Sequence, residues 1–325
     1  MGMEKKRLGH SDLNISRLGL GSWAIGGDIG EWGWGKQPQQ DSIDTIHAAL
    51  DNGINWIDTA PAYGLGNAEK IINKALKQTS SKPYIFTKCG LCWKPGETEL
   101  FNRISRQSII KEVEDSLRRL DVEVIDLYQI HWPRPETDII EAWHTLAELK
   151  QQGKIRHLGV SNFSAEQLQQ VHTVSPVISN QPGYSLLNRS AEKEVLPWCL
   201  EHNVGTIHHS TMASGLLSGA MNKDRFARLS KNDWRHEHHL YQEPTFSRNL
   251  EMVEHLKVIA EDKGCNVAEL SIAWTQSHPA TTGSIIGARS TEQLSGLIKA
   301  SEITLTEQDH SRINVVFSNK QAETV

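Results

Sequence analysis

Short β-rich runs alternate with helical patterns along almost the whole chain, and this alternation most restricts how it can fold. Strand-like runs at 17–20, 55–58, 84–87, 125–129, 156–160 and 177–180 are followed by helical patterns at about 39–52, 67–76, 107–120, 138–151, 165–173 and 191–203. Runs at 204–208 and 284–286 complete a set of eight. Strands separated by helices predict right-handed βαβ units and a parallel sheet. At roughly 150 residues per domain, 325 residues allow two domains. No Pro/Gly/Ser linker divides the chain, however, and no repeat longer than the βα unit is visible. Eight parallel strands without a boundary predict one (β/α)8 TIM barrel over residues 1–325 in place of an open doubly wound sheet.

The flanking segments fit that frame. Residues 4–16 read as an N-terminal β-hairpin turning at Gly9-His10-Ser11-Asp12. About 90–106 and 218–244 read as long loops at the C-terminal face, where loops of that length are functional or disordered. Asn266 with Glu269 three residues on opens a helix to about Ser277. Gly53 and Gly153 are helix stops.

Composition removes several function classes. No apolar run approaches the ~18 residues of a membrane helix, and Met1 to Arg7 lack the apolar stretch of a secretory leader. A net charge of −5 points to neither a nucleic-acid nor a membrane partner. Four cysteines in a chain this long make no disulfide framework, so a reduced, cytoplasmic setting is expected.

In such barrels chemistry sits where the strands end. Strand two ends at Asp58, with Tyr63 in the following loop; strand three ends at Lys88; strand four leads to His131. Strand five ends at Ser161-Asn162, strand six near Gln181, strand seven at His208-His209-Ser210, and strand eight leads to Gly287-Ala288-Arg289-Ser290. An Asp, a Lys, a Tyr and a His on one rim can do proton chemistry. The Lys88 cation, paired with Asp58, is expected to lower the Tyr63 pKa from ~10 toward the working pH. Tyr63 could then exchange a proton with a carbonyl or alcohol oxygen, which His131 would orient.

The segment from Ile54 to Gly64, which carries Asp58-Thr-Ala-Pro-Ala-Tyr63, resembles the signature of the aldo-keto reductases. So do Gly19-Leu-Gly-Ser-Trp-Ala-Ile-Gly-Gly27, Leu127-Tyr-Gln-Ile-His-Trp-Pro133 and Gly153 through Phe163, all in order over about 5–315. Within the family the chain is most similar to the bacterial NADPH-dependent branch that includes the general stress protein 69 type. The resemblance implies a catalytic set of Asp58, Tyr63, Lys88 and His131, with Tyr63 as general acid in carbonyl reduction. It implies that Ser161, Asn162 and Gln181 hold the nicotinamide carboxamide. The loop with Ser210, Thr211, Met212, Gly215 and Leu217 would wrap the pyrophosphate, next to Gly287 at the end of strand eight. Arg289 and Ser290, with Gln293, would face the adenosine 2′-phosphate, which favours NADPH because guanidinium binds phosphate bidentately. Trp23, Trp93 and Trp132 would wall a pocket for a small carbonyl substrate. A monomer is expected. Two departures stand out: His209 occupies the nicotinamide-stacking position, usually aromatic and often Tyr, where an imidazole could titrate. Gly296 and Leu297 stand where relatives carry adenine-contacting polar groups.

Other readings compete with this one. Some relatives of the fold are NADPH-binding regulatory β-subunits of potassium channels with little turnover; the barrel here starts within about ten residues, without an extra segment for channel contact. Gly19-x-Gly21-x-x-Ala24 fits a dinucleotide fingerprint but lacks its acid ~20 residues on. Cys89-Gly-Leu-Cys92 has no helix start to activate a thiol and no second pair for zinc. His236-Glu-His-His239 lies in a charged loop without a metal-binding spacing, so no metal is expected.

Overall fold

The computed structural model describes residues 2–28 and 32–318. Its eight barrel strands are β1 (Leu18–Gly21), β2 (Trp56–Asp58), β3 (Tyr84–Cys89), β4 (Ile125–Ile130), β5 (Ile155–Ser161), β6 (Ser179–Gln181), β7 (Gly205–His208) and β8 (Thr281–Gly287). They run parallel in chain order around a closed ring, and β8 returns to β1 with Ser284 opposite Leu18 and Gly287 opposite Gly21. This is the expected (β/α)8 barrel.

The outer face is covered by α1 (Gln39–Asp51), α2 (Asn67–Leu76), α3 (Arg106–Leu120), α4 (Ile139–Gln151), α5 (Ala165–Val174), α6 (Val195–Glu201), α7 (Thr245–Asp262), α8 (Val267–Ser277), α9 (Thr291–Ile298) and α10 (Glu307–Ser318). A sheet with one face under helices and the other packed inside a ring has almost no wet side, so strands read as continuous apolar runs. In β3 every residue after Tyr84 is buried.

Inside the barrel floor, Trp56, Phe86, Leu127 and Ile207 pack with Leu8, Leu13 and Ile15 from the hairpin Lys5–Arg7/Asn14–Ser16. The hairpin thus plugs the N-terminal end, and Trp56 Nε1 donates to its Ser16 carbonyl at 2.9 Å. Gly19 makes room for that ring: a Cβ there would lie 2.2 Å from the indole. The plug covers the end of the ring opposite the strand C-termini, where chemistry sits in such barrels.

Asn266 and Glu269 form the expected capping box on α8. The expected loops are more ordered than anticipated. Residues 90–106 contain a two-stranded ribbon, Leu91–Cys92 with Phe101–Asn102. Residues 218–244 contain a helical turn at Lys223–Ala227 and tight turns at Trp234–His236 and His239–Tyr241. The expected span 1–325 extends at both ends beyond the described residues. Among the described residues no helix is long and apolar enough to cross a membrane.

Candidate active site

Lys88, at the end of β3, is completely buried inside the ring. Its ammonium donates to Asp58 Oδ2 at 2.6 Å, to the Thr59 carbonyl at 2.9 Å and to the Tyr63 hydroxyl at 3.3 Å. A buried cation is tolerated only when paired and hydrogen-bonded. Burial alone would lower its pKa, but Asp58 and Tyr63 hold it above the ordinary lysine value. Lys88 is therefore an ammonium at neutral pH.

Asp58 is held from its other side as well. Its Oδ1 accepts Gln181 Nε2 at 2.7 Å and Gln129 Nε2 at 3.4 Å. Gln129, on β4, is fully buried and absent from the sequence-derived set. The available signal was its position two residues before His131, since alternate strand residues share a face.

Tyr63 lies with its ring 5.9 Å from the His131 ring, nearly edge-on. Lys88 does lower the Tyr63 pKa, as expected, but the expected net fall toward the working pH is overturned. Desolvation raises it, and this outweighs the lowering by Lys88, so the phenol sits above its ordinary value of 10.0 and keeps its proton. Burial and the nearby Lys88 charge push His131 well below 6.5, so its imidazole is neutral. The site thus presents a protonated phenol, a neutral imidazole and an ammonium around one point at the mouth.

The next strand ends form a second network. Asn162, in left-handed conformation (φ 62°), donates Nδ2 to the His131 carbonyl and to Ser161 Oγ, both at 3.0 Å. Ser161 Oγ donates to the Gln181 carbonyl at 2.9 Å. His209 bridges Asn162 Oδ1 at 3.0 Å and Ser210 Oγ at 2.9 Å. The expectation that His209 could titrate in the working range is also overturned: burial, then Lys88, lowers it to about 4.

Beyond them, Thr211 Oγ1 donates to the Ile285 carbonyl at 3.2 Å, while Met212 and Leu217 pack into the core. Ser210, Ala213, Ser214 and Gly215 all have positive φ. Turns of this left-handed backbone build concave N–H cradles for anions. Gly287 closes β8, exposed. Arg289 does not stand free. Its guanidinium donates to the carbonyls of Trp34 (2.6 Å), Lys36 (2.7 Å) and Gly35 (3.2 Å) and to Gln37 Oε1 (2.9 Å). Ser290 caps α9 by accepting from the Gln293 N–H at 3.2 Å, and Gln293 Oε1 accepts the Arg289 N–H at 2.9 Å. Burial and the nearby Arg235 cation lower the Arg289 pKa, so two arginines share this corner. Arg235 is itself paired with Asp233, so the left-handed backbone and the Arg289 guanidinium are what suit a negatively charged dinucleotide here.

Trp23 faces Tyr63 (6.3 Å, 28° between planes) and stacks on Trp234 at 5.1 Å, with Trp34 edge-on at 5.3 Å. Trp234 is a member of this cluster that was not foreseen. Trp132 lies elsewhere, parallel to the His131 ring at 6.4 Å. Trp93 follows the ribbon strand Leu91–Cys92 and is half-buried. Among the described residues no group of three His, Cys, Asp or Glu could hold a metal ion.

The model of the aldo/keto reductase family matches residues 17–316. The chain belongs to the aldo/keto reductase family. It is 38% identical to the aldo-keto reductase YhdN of Bacillus subtilis, over 99% of this chain and 96% of that protein. It is 34% identical to the NADH-specific methylglyoxal reductase of Escherichia coli, over 94% of this chain and 96% of that one. Among solved structures it matches the glycerol dehydrogenase AKR11B4 of Gluconobacter oxydans with a TM-score of 0.89 at 38% identity, covering 98% of this chain and 96% of that one. It also matches the holo form of aldo-keto reductase AKR11C1 of Bacillus halodurans, with a TM-score of 0.78 at 28% identity, covering 97% and 96%. As a member of this family the chain is an oxidoreductase.

Proposed function

We propose that this aldo-keto reductase uses NADPH to reduce a small polar aldehyde or ketone, with Tyr63 as the general acid. The observation that carries the reading is the Lys88 ammonium between Asp58 and the Tyr63 hydroxyl. Asp58 keeps Lys88 charged and in place. Lys88 donates to the phenol oxygen, which favours the phenolate left after Tyr63 gives up its proton. Neutral His131 can hydrogen-bond the substrate oxygen without adding charge. The reduced nicotinamide supplies the hydride when bound. Ser161, Asn162 and Gln181 would hold its carboxamide, His209 would lie against its ring, and 210–217 would take its pyrophosphate. Arg289 would take the 2′-phosphate, exchanging its carbonyl partners for phosphate oxygens, with Ser290 and Gln293 beside it. Trp23, Trp93 and Trp132 would bound the carbonyl pocket.

The names of two relatives, a methylglyoxal reductase and a glycerol dehydrogenase, support a short polar substrate. The NADPH preference rests on Arg289, since one relative is NADH-specific. We read residues 1–325 as one such domain, monomeric and cytoplasmic, without nucleic-acid or membrane partners. The test is carbonyl-dependent NADPH oxidation by wild type and Tyr63→Phe. The variant should lose about 10²-fold or more in kcat while still binding NADPH. Turnover equal to wild type would remove Tyr63 as the acid.

A further inference from the structure

The peptide bond between Cys89 and Gly90 is held at both polar ends. Its carbonyl accepts the His131 backbone N–H at 2.9 Å, and its own N–H is donated to Glu112 Oε2, also at 2.9 Å. The residue just before this peptide is Lys88. One peptide plane therefore links two residues of the proposed proton machinery, and a carboxylate on α3 fixes it from outside the barrel. The other Glu112 oxygen accepts the Ser108 hydroxyl at 3.0 Å, and Ser108 Oγ lies 3.3 Å from Cys92 Sγ.

The path of the chain here leaves no slack. Gly90 has φ +95°, and a Cβ on it would lie 2.6 Å from Ile104 Cγ2. The Arg103 N–H closes the turn on the Gly90 carbonyl at 3.0 Å. On the other side of Lys88, the buried Glu69 carboxylate of α2 accepts the Thr87 hydroxyl at 2.8 Å and the Arg119 guanidinium at 2.5 Å. Glu112 is costly where it stands. Desolvation raises it to about 7, against the opposing Gly90 and Ser108 donors, Cys92 and the Arg119 charge. Of the buried positions beside it on the same helix, Ile109 and Val113 are apolar and Ser116 carries a hydroxyl. A carboxylate so placed polarises the peptide it accepts from and strengthens the bond at the opposite end.

We propose that Glu112 is a positioning residue: by holding the Cys89–Gly90 peptide it sets the end of β3 and the backbone of His131, and through them the approach of Lys88 and His131 to the reacting oxygen. Glu112 itself touches no reacting group. The inference rests on the carbonyl-reductase reading, in which a displacement of about 1 Å at such groups costs up to ~10²-fold in rate.

Amide hydrogen exchange on the full chain reads this link without turnover. The Gly90 and His131 amides should exchange about tenfold or more faster in Glu112→Leu than in wild type. Glu112→Gln, whose amide oxygen still accepts the Gly90 N–H, should stay near wild type. In parallel, kcat for an aldehyde should fall about tenfold or more in Glu112→Leu, with the NADPH Kd from tryptophan fluorescence held within about twofold, and Glu112→Gln should restore it. Wild-type exchange in Glu112→Leu overturns the proposal. So does a kcat loss that Glu112→Gln does not restore, or one matched by an equal loss of NADPH affinity. If Glu112→Leu does not fold, Glu112→Asp, which shortens the reach to Gly90, must show the same faster exchange and lower kcat, and wild-type values there overturn the proposal. If wild type reduces no aldehyde, the reductase reading fails, and the exchange comparison still decides whether Glu112 holds the peptide.

Discussion

Charge states decide how the proposed acid behaves with pH. Tyr63 and Lys88 lie above their ordinary values of 10.0 and 10.5, His131 lies well below 6.5, and His209 is near 4. None of the four changes charge between pH 6.5 and 10. We expect kcat/KM for carbonyl reduction, which reports the unliganded site, to have no limb from these groups in that window. Glu112, raised to about 7, gains its charge within that window, but Glu112→Gln keeps a neutral acceptor for the Gly90 N–H, so this titration should leave the profile level and the two proteins should share it. The groups facing Glu112 are Cys92 on the ribbon, Cys89 on β3, Tyr128 on β4, and Ser108 and Arg119 on its own helix. Measuring kcat/KM against pH in both proteins checks this. An acid limb that persists in Glu112→Gln would show that an active-site histidine titrates after all. Asp58, Tyr63, Lys88 and His131 were legible in the sequence because each closes or follows a barrel strand. Gln129 was not singled out: its alternation with His131 marks the face they share, but nothing in the strand marks Asp58 as its partner across the ring. Glu112 was hidden for another reason: on an amphipathic helix, a carboxylate reads as solvent-facing until the chain beside it is placed.

Among the elements, the eight strands were recoverable from their spacing, while α7, which begins just where the 218–244 loop ends, was given no element. Pro244 stands at its N-cap position and offers no side-chain cap, the Ser247 N–H going instead to the Glu243 carboxylate one residue earlier, so the usual Ser, Thr, Asp or Asn start signal is missing. The packing of the two long segments near the mouth was also out of reach, because pairs such as Trp23 and Trp234 are remote in sequence and no local rule joins them. Trp234 is nearly buried and touches Trp23, Trp32 and Trp34 together. It should therefore act both as a packing residue and as the support for the Trp23 ring over Tyr63. We expect Trp234→Ala to lose about 2–4 kcal/mol in denaturant unfolding. In steady-state assays it should raise KM for the aldehyde more than it lowers kcat. Unchanged stability and KM would mean that the cluster supports nothing at the mouth.

Across the whole molecule, Arg289 ties the end of β8 to the segment after β1, at the place where the ring closes. If it also reads the 2′-phosphate, Arg289→Met should weaken NADPH binding by about tenfold or more while changing NADH by no more than about threefold. Equal losses for both cofactors, measured by fluorescence titration, would assign Arg289 to the loop alone. The closure itself has a consequence in time. β1 hydrogen-bonds β2 on one side, but its other edge is covered only by β8, more than 260 positions further along the chain. During synthesis that edge has no partner until Thr281–Gly287 has left the ribosome, so the earlier strands must wait as an open, unsealed sheet. Pairing this remote in sequence is slow to form, and the nascent chain is most exposed to misassociation just before the ring shuts.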